Sequence, residues 1–183
     1  MLIGFRGSGK TTLGNAYQAS NLDCVFLTKE NTIFSEQRRH ENPWMVINEI
    51  VREHQHKIII FDRFCRDEDD LYLLNHILQK NGRKLDAIVK IDVTESIAQL
   101  RTFSREKECM EELCIGRKAK PIKFKVEQLT FDKIRYGFFS DIYREIDGSL
   151  SADDVLKIFS ELLRKMRIEK KNIVNLLLRS TNH

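Results

Sequence analysis

The octapeptide Gly4-Phe5-Arg6-Gly7-Ser8-Gly9-Lys10-Thr11 is the feature around which the rest of the chain is organised. It fits the pattern G-x-x-x-x-G-K-[ST], the phosphate-binding P-loop. Glycines allow backbone conformations that a side chain forbids, so that successive N–H groups can turn inward around phosphate oxygens. Lys10 would reach the terminal phosphates, and Thr11 would offer its hydroxyl to Mg²⁺. A glycine-rich turn that matches by accident is the alternative.

The residues on either side of this loop favour the phosphate-binding interpretation. Met1-Leu2-Ile3 is a short apolar run, and the stretch from Thr12 to Tyr17 can continue as a helix. The motif requires this order of strand, loop and helix, and the N-terminus of the helix directs its positive end at the anion. The predicted nucleotide contacts from this region are Gly4, Gly7, Ser8, Gly9, Lys10, Thr11 and Thr12.

Length and composition indicate a single globular domain over residues 1–183, with 42% hydrophobic and 32% charged residues. No apolar run reaches the length of a membrane span, and the chain opens in its first predicted strand, so we expect a cytoplasmic protein without a membrane partner. A net charge of +4 suits an anionic substrate but does not by itself indicate nucleic acid. The four cysteines show no disulfide framework. Cys109 and Cys114 have the wrong spacing, and too few companions, for a zinc knuckle.

Short apolar runs alternate with longer helical patterns along the chain, which is typical of βαβ units. We therefore predict an α/β fold: a P-loop NTPase three-layer sandwich, with a five-stranded parallel sheet and helices on both faces. The strands after the first are predicted at 24–27, 57–62, 87–93 and 143–147. Helices are predicted to begin near Asn42, after Asp67, after Thr94, at Phe131 and after Ser151, with the third ending near Ser104 and the fourth near Phe139.

The segment Glu106–Lys125, called the lid segment below, loses the apolar periodicity and changes from acidic to basic. We predict a small lid that orders over bound ligands, since its basic half can reach phosphates. A disordered surface loop is the alternative, because low hydrophobicity and high charge also favour disorder. Residues 168–183 form a basic C-terminal extension without a motif that carries a mechanism.

Charged side chains follow the predicted third strand at its carboxyl end, where ligands of open α/β sheets bind. Asp62 is the kind of carboxylate that holds Mg²⁺ beside a P-loop, and its alternative role is a helix or turn cap. Arg63 and Arg66 follow, and at least one can grip a phosphate with its bidentate fork. The alternative is that Arg63 or Arg66 forms an ion pair with the acidic residues 67–70. Those acidic residues also suit a helix N-terminus, where negative charge is favourable.

Arg101 and Arg105 are spaced i, i+4 and therefore share one face of their predicted helix. Two cations on one face repel each other, which favours an anion between them over coincidence.

Several stretches resemble the nucleoside monophosphate kinases, and adenylate kinase in particular. Ile60-Phe61-Asp62-Arg63-Phe64-Cys65-Arg66 resembles the family's Asp-Gly-Phe-Pro-Arg stretch, and Leu85–Val93 is similar to the strand that follows. Arg101-x-x-x-Arg105 is similar to the arginine pair that enters the lid, and Ile146-Asp147-Gly148-Ser149 resembles the segment on which the adenine of ATP rests. With the P-loop, the resemblance touches most of residues 1–165.

The resemblance implies phosphoryl transfer from ATP to a nucleoside monophosphate, with ATP and Mg²⁺ as cofactors. It places Asp62 and Thr11 at the metal, Arg66 on the acceptor's phosphate, Arg101 near the base, and Arg105 on the transferring phosphates. Asp147 and Gly148 would lie at the adenine. The resulting catalytic set is Lys10, Arg66, Arg101 and Arg105, and Arg38 or Arg39 is a weaker candidate for the acceptor's phosphate.

The chain departs from the family at the acceptor site. Arg63 and Cys65 replace a glycine and a proline, and nothing after Leu27 reproduces the Ser-Thr-Gly-Asp turn that cradles the acceptor nucleoside. The interval from Thr12 to Asp62 is also short, so we expect a reduced acceptor-binding region. Arg117 and Arg135 are the nearest candidates for the family's further arginine pair, with Lys118, Lys120 and Lys123 as substitutes.

Two further functions remain open beside the monophosphate kinase. One is a kinase of the same fold that acts on another small acceptor, such as a nucleoside or shikimate. The other is a weakly catalytic ATP-binding switch, which the basic extension and the altered acceptor site would suit. The sequence leaves the acceptor undecided among these classes.

Overall fold

The structure, a computed structural model, describes residues 1–28, 42–65, 67–113 and 124–180. Side chains are described over the same ranges apart from residues 106–113 and 168–180. Within these ranges, no helix is long and apolar enough to cross a membrane.

The core of the fold is a five-stranded parallel sheet in the order β2-β3-β1-β4-β5. In the central strand, Leu2 lies opposite Asp62 on one side and Val89 on the other. The loop after β1 therefore leaves the middle of the carboxyl edge, where connections run to both sides and a crevice forms. The strands are β1 (Leu2–Ile3), β2 (Cys24–Thr28), β3 (Ile58–Asp62), β4 (Ile88–Asp92) and β5 (Tyr143–Asp147).

Helices cover both faces of this sheet, as predicted for a three-layer sandwich. One face packs on α1 and α6, and the other on α2, α3 and α5. Alternate strand residues point to opposite faces of the sheet. Ile60 therefore packs in the apolar cluster beneath α1 and α6, and Phe61 in the cluster beneath α2, α3 and α5. The helices are α1 (Lys10–Ser20), α2 (Pro43–Glu53), α3 (Glu68–Lys80), α4 (Glu95–Leu113), α5 (Phe124–Tyr136) and α6 (Ala152–Ser180).

Three of the predicted helix starts, at Asn42, Asp67 and Ser151, are confirmed by their caps. The Asn42 side chain accepts a hydrogen bond from the Trp44 N–H, and the Asp67 side chain accepts one from the Asp70 N–H. The Ser151 hydroxyl likewise accepts from the Asp154 N–H. Each cap satisfies a backbone donor that the first turn of a helix leaves without an intrahelical partner.

Two predicted boundaries near the lid segment were wrong. Helix α4 does not end near Ser104 but continues to Leu113, because residues 105–113 are mostly strong helix formers even though they lack an apolar stripe. Helix α5 begins at Phe124 rather than Phe131, since the rings of Phe124 and Phe131 both pack on Phe5, at centroid distances of 4.8 and 5.3 Å. Only residues 114–123 of the lid segment lie outside the described ranges.

The C-terminal helix α6 continues through most of the predicted basic extension and reaches Ser180. Its first half closes the sheet, with Val155 and Phe159 buried against β4 and β5 residues. The Phe159 ring meets the Tyr17 ring of α1 edge-on, at a centroid distance of 5.3 Å. This pair joins the two helices that cover one face.

Replacing Phe159 with alanine is expected to lower the free energy of unfolding by about 3–5 kcal/mol, because the residue is 2% exposed and its removal leaves a cavity. The matched control is Ile158→Ala on the same helix, where the side chain is 42% exposed and the loss should stay near or below ~1 kcal/mol. Chemical denaturation measures both variants. Equal losses would contradict this packing of α6.

Candidate functional site

The loop after β1 has the backbone that phosphate binding requires. Gly4, Gly7 and Gly9 have φ angles of +139°, +87° and +96°, which residues other than glycine rarely adopt. A Cβ on Gly7 would also lie 2.5 Å from the carbonyl oxygen of Ala98. The loop therefore needs glycine for its backbone angles and for its close approach to α4.

Lys10, the first residue of α1, folds back over this loop. Its Nζ donates hydrogen bonds to the carbonyl oxygens of Gly4 and Phe5, both at 2.7 Å, and to the Ser8 hydroxyl at 3.2 Å. The side chain is 5% exposed. Burial lowers the pKa of Lys10 to about 8, although the nearby charge of Asp62 opposes the shift. The ammonium is thus held at the loop but loses its proton more readily than an ordinary lysine.

Thr11 and Asp62 meet at the carboxyl edge of the sheet. The Thr11 hydroxyl donates to Asp62 Oδ2 at 2.7 Å, and Asp62 is fully buried. The other carboxylate oxygen, Oδ1, is buried and has no hydrogen-bond partner among the described residues. A buried acceptor of this kind needs a donor or a cation. One hydroxyl and one carboxylate fit Mg²⁺, which takes few protein ligands and completes its shell with water and phosphate oxygens.

A cavity of about 290 Å³ opens on one side of the loop, called the Arg101 cavity here. Arg101 and Arg105 both line it, so the i, i+4 spacing does bring the two cations together. Arg101 also donates to the Gly148 carbonyl oxygen at 2.8 Å, which ties α4 to the turn after β5. The other predicted contacts that line this cavity are Ser8, Gly9, Thr12 and Gly148.

A second cavity, of about 270 Å³, adjoins Lys10 and is called the Arg63 cavity. Gly4, Lys10, Arg63 and Glu127 all line it. Among the described residues, Arg63 alone has a left-handed backbone without being glycine, with φ at +62°. Such conformations are costly and cluster at ligand sites.

Some predicted site residues lie elsewhere. Asp147 is exposed, and its carboxylate accepts hydrogen bonds from the N–H and hydroxyl of Ser149, which lower its pKa. It lines neither cavity, whereas its neighbour Gly148 does. Arg135 pairs with Glu145 at 3.4 Å beside β5 and is also outside both cavities. The predicted residues that lie outside the described ranges are Arg38, Arg39, Arg66, Arg117, Lys118, Lys120 and Lys123.

The sequence did not single out Glu127 or Thr130, which reach the Arg63 cavity from α5. The available signal was the spacing of Glu127, Thr130, Phe131 and Ile134, which places these residues on one helical face. That face was missed because the helix was predicted to start at Phe131.

Another cavity, of about 380 Å³, lies at the opposite, amino-terminal edge of the sheet, beside Met1 and Arg83. It contains none of the predicted site residues. Ligands of this sheet topology bind at the carboxyl edge, and the Arg101 and Arg63 cavities contain predicted site residues from that edge, so these two cavities are the candidate site.

Comparison with known proteins agrees with the fold. A gluconokinase from Sinorhizobium meliloti 1021 matches this chain with a TM-score of 0.56, over 94% of this chain and 93% of that protein, at 14% sequence identity. No family model and no curated protein matches the sequence. At this identity the likeness shows the fold alone. The chain has the α/β P-loop NTPase fold that its sequence predicted.

Binding of ATP should weaken as the pH rises above about 8. The loop needs the charged form of Lys10, and a free protein with a Lys10 pKa of about 8 must take up a proton to bind above that pH. Calorimetric titration from pH 7 to 10 measures the effect. Lys10→Met should bind weakly with little pH dependence, while Lys80→Met, at an exposed lysine of α3, should behave as wild type. A wild-type affinity that is constant from pH 7 to 10 would contradict the burial of Lys10.

Proposed function

We propose that the protein is an ATP-dependent phosphotransferase that acts on a small acceptor. The observation that carries the proposal is the placement of the loop after β1 and of Lys10 directly behind it. Ser8 and Gly9 line the Arg101 cavity, whereas Gly4 and Lys10 line the Arg63 cavity. A P-loop that borders two cavities, with its lysine lining one of them, suits a donor nucleotide on one side and an acceptor on the other. In-line transfer needs this arrangement of attacking and leaving oxygens.

In this proposal ATP lies in the Arg101 cavity. Lys10 leaves the carbonyl oxygens of its own loop for the terminal phosphates, and the backbone of Gly7, Ser8 and Gly9 surrounds them. Arg105 is exposed at the cavity and can approach the phosphates, while the contact of Arg101 with Gly148 fixes the wall beside the base. These cations compensate the charge that develops on the transferring group.

Thr11 and Asp62 are the residues that would hold Mg²⁺, because their side chains meet and Asp62 Oδ1 is a buried acceptor with no partner among the described residues. When bound, the ion supplies charge compensation on the phosphates. Asp62 also fixes the orientation of the Thr11 hydroxyl.

The acceptor belongs in the Arg63 cavity. A nucleoside monophosphate is the acceptor that the sequence resemblance implies, and Arg63 is a cation that could contact its phosphate. A hydroxyl compound is the second candidate, since the carboxylate of Glu127 lines the same cavity. The gluconokinase match supports a small-molecule kinase without favouring either acceptor.

The proposal is tested with a panel of acceptors: AMP, CMP, UMP, GMP, dTMP, adenosine, thymidine, D-gluconate and shikimate. Wild-type protein with ATP and Mg²⁺ should phosphorylate at least one, as measured by ³¹P NMR. Lys10→Ala should lose ~10³-fold or more of the rate while keeping its fold, and Lys80→Ala should lose nothing. ATP hydrolysis without transfer to any of these acceptors would instead favour the ATP-binding switch.

Replacing Asp62 with asparagine should raise the Mg²⁺ concentration needed for half-maximal activity, because the metal loses its carboxylate ligand. Asp23→Asn, at an exposed aspartate before β2, serves as the control. Circular dichroism checks that both variants fold. Full activity of the wild type in EDTA, or an unchanged Mg²⁺ requirement in Asp62→Asn, would rule out this metal site.

A further inference from the structure

Within the proposed phosphotransferase, we propose that Glu127 accepts the proton of an acceptor hydroxyl and that the acceptor is therefore a hydroxyl compound. The inference rests on the proposed function, because it assigns the acceptor side of the same site. It gives a role to a residue of α5 that no sequence motif marked.

Helix α5 is held against the phosphate loop by aromatic contacts on either side of Glu127. Phe124 and Phe131 lie three residues before and four residues after it, and both rings pack on the Phe5 ring of the loop. Residues at these spacings share a helix face, so Glu127 lies on the face that meets the loop. It is half-buried and lines the Arg63 cavity together with Lys10 and Gly4. Its place next to the loop lysine is thus fixed by packing.

Burial beside the Arg63 cavity leaves Glu127 suited to take up a proton. Burial raises the pKa of Glu127, although the charges of Lys10 and Arg63 act in the opposite direction. Binding of ATP would draw the charge of Lys10 toward the phosphates and leave the Glu127 carboxylate less stabilised. A carboxylate with a raised pKa is a stronger base than an ordinary glutamate.

The site contains a second carboxylate, Asp62, but its hydrogen bond to Thr11 assigns it to the metal side. Asp62 lines neither the Arg101 cavity nor the Arg63 cavity, whereas Glu127 does line the latter. Two carboxylates in different environments commonly divide two tasks in this way. Glu127 is the one that an acceptor can reach.

The proposed reaction transfers the γ-phosphoryl group of ATP to the acceptor hydroxyl. The hydroxyl oxygen of the acceptor attacks the γ-phosphorus of ATP, and an oxygen–phosphorus bond forms as the bond to the bridging oxygen of ADP breaks. The hydroxyl proton passes to the Glu127 carboxylate and leaves to solvent after the product departs. A monophosphate acceptor is already deprotonated and needs no base, and its charge would be repelled by Glu127.

The walls of the cavity limit the acceptor further. Leu2, Ile3, Phe131 and Ile134 line it, so the part of the acceptor that lies there is carbon-rich. Arg63 offers one cation for a polar or anionic group, and Thr130 offers a hydroxyl. The inferred acceptor is a small alcohol with a single polar or anionic group away from the reacting hydroxyl.

The test compares Glu127→Gln with wild type, using the hydroxyl compounds adenosine, thymidine, D-gluconate and shikimate against the five monophosphates. Glu127→Gln should lower kcat for the hydroxyl acceptor by ~10²–10⁴-fold with little change in its KM, and Glu127→Asp should recover part of the rate. The affinity for ATP and the melting temperature should stay close to wild type. The control is Asp132→Asn, at a half-buried carboxylate of the same helix that does not line the cavity.

A pH profile separates proton transfer from a structural role. Of the described residues, the charged or titratable groups that face Glu127 across the cavity are Lys10, Arg63 and Cys65. The wild-type rate should fall below the pKa of Glu127, and Glu127→Gln should lose that acidic limb. A merely structural glutamate would leave the limb in place and lower the melting temperature instead, which would overturn the inference.

The outcomes also separate this inference from the proposed function. Wild-type protein that phosphorylates a monophosphate but no hydroxyl compound would overturn the role of Glu127 and uphold the phosphotransferase. An unchanged kcat in Glu127→Gln would do the same. Wild-type protein that transfers phosphate to nothing would overturn both.

Discussion

The buried ammonium of Lys10 is held by hydrogen bonds to the carbonyl oxygens of Gly4 and Phe5. These bonds are possible only because the loop turns tightly enough to bring both oxygens to Lys10. That turn exists because glycines at positions 4, 7 and 9 take left-handed backbone angles. The loop in turn leaves the central strand of the sheet, so its lysine lies midway along the carboxyl edge. The two cavities of the candidate site border this loop for the same reason: Ser8 and Gly9 line one, and Gly4 and Lys10 line the other.

The surroundings of Lys10 also explain why its charge is adjustable. Burial disfavours the ammonium, whereas Asp62 and Glu127 favour it, and the balance leaves a pKa of about 8. A cation held by two carbonyl oxygens and the Ser8 hydroxyl can exchange these neutral acceptors for phosphate oxygens. The loop is therefore preorganised for an anion while its lysine remains free to turn toward one.

Phe5 couples the loop to helix α5, which lines the Arg63 cavity. It sits inside the phosphate loop, yet its ring packs on Phe124 and Phe131 of α5. The contact positions the helix that follows residues 114–123, and with it the carboxylate of Glu127. A residue at a variable position of the motif thus links the loop after β1 to the helix that lines the Arg63 cavity.

The sequence by itself determined the glycine-rich loop, the five strands and the capped helix starts. It also placed Arg101 and Arg105 on one helix face. Each of these features depends on residues that are close together in the chain. It also predicted that Asp62 would lie near Thr11, since parallel strands end at the same edge. Only the tertiary structure decided where α4 ends and where α5 begins. It also decided that Asp147 hydrogen-bonds Ser149 and that Arg135 pairs with Glu145. The position of Glu127 at the cavity beside Lys10 was likewise visible only in the folded chain. The physical reason is that these features arise from packing and charge between distant segments, above all the rings of α5 on Phe5, which no local pattern of residues records.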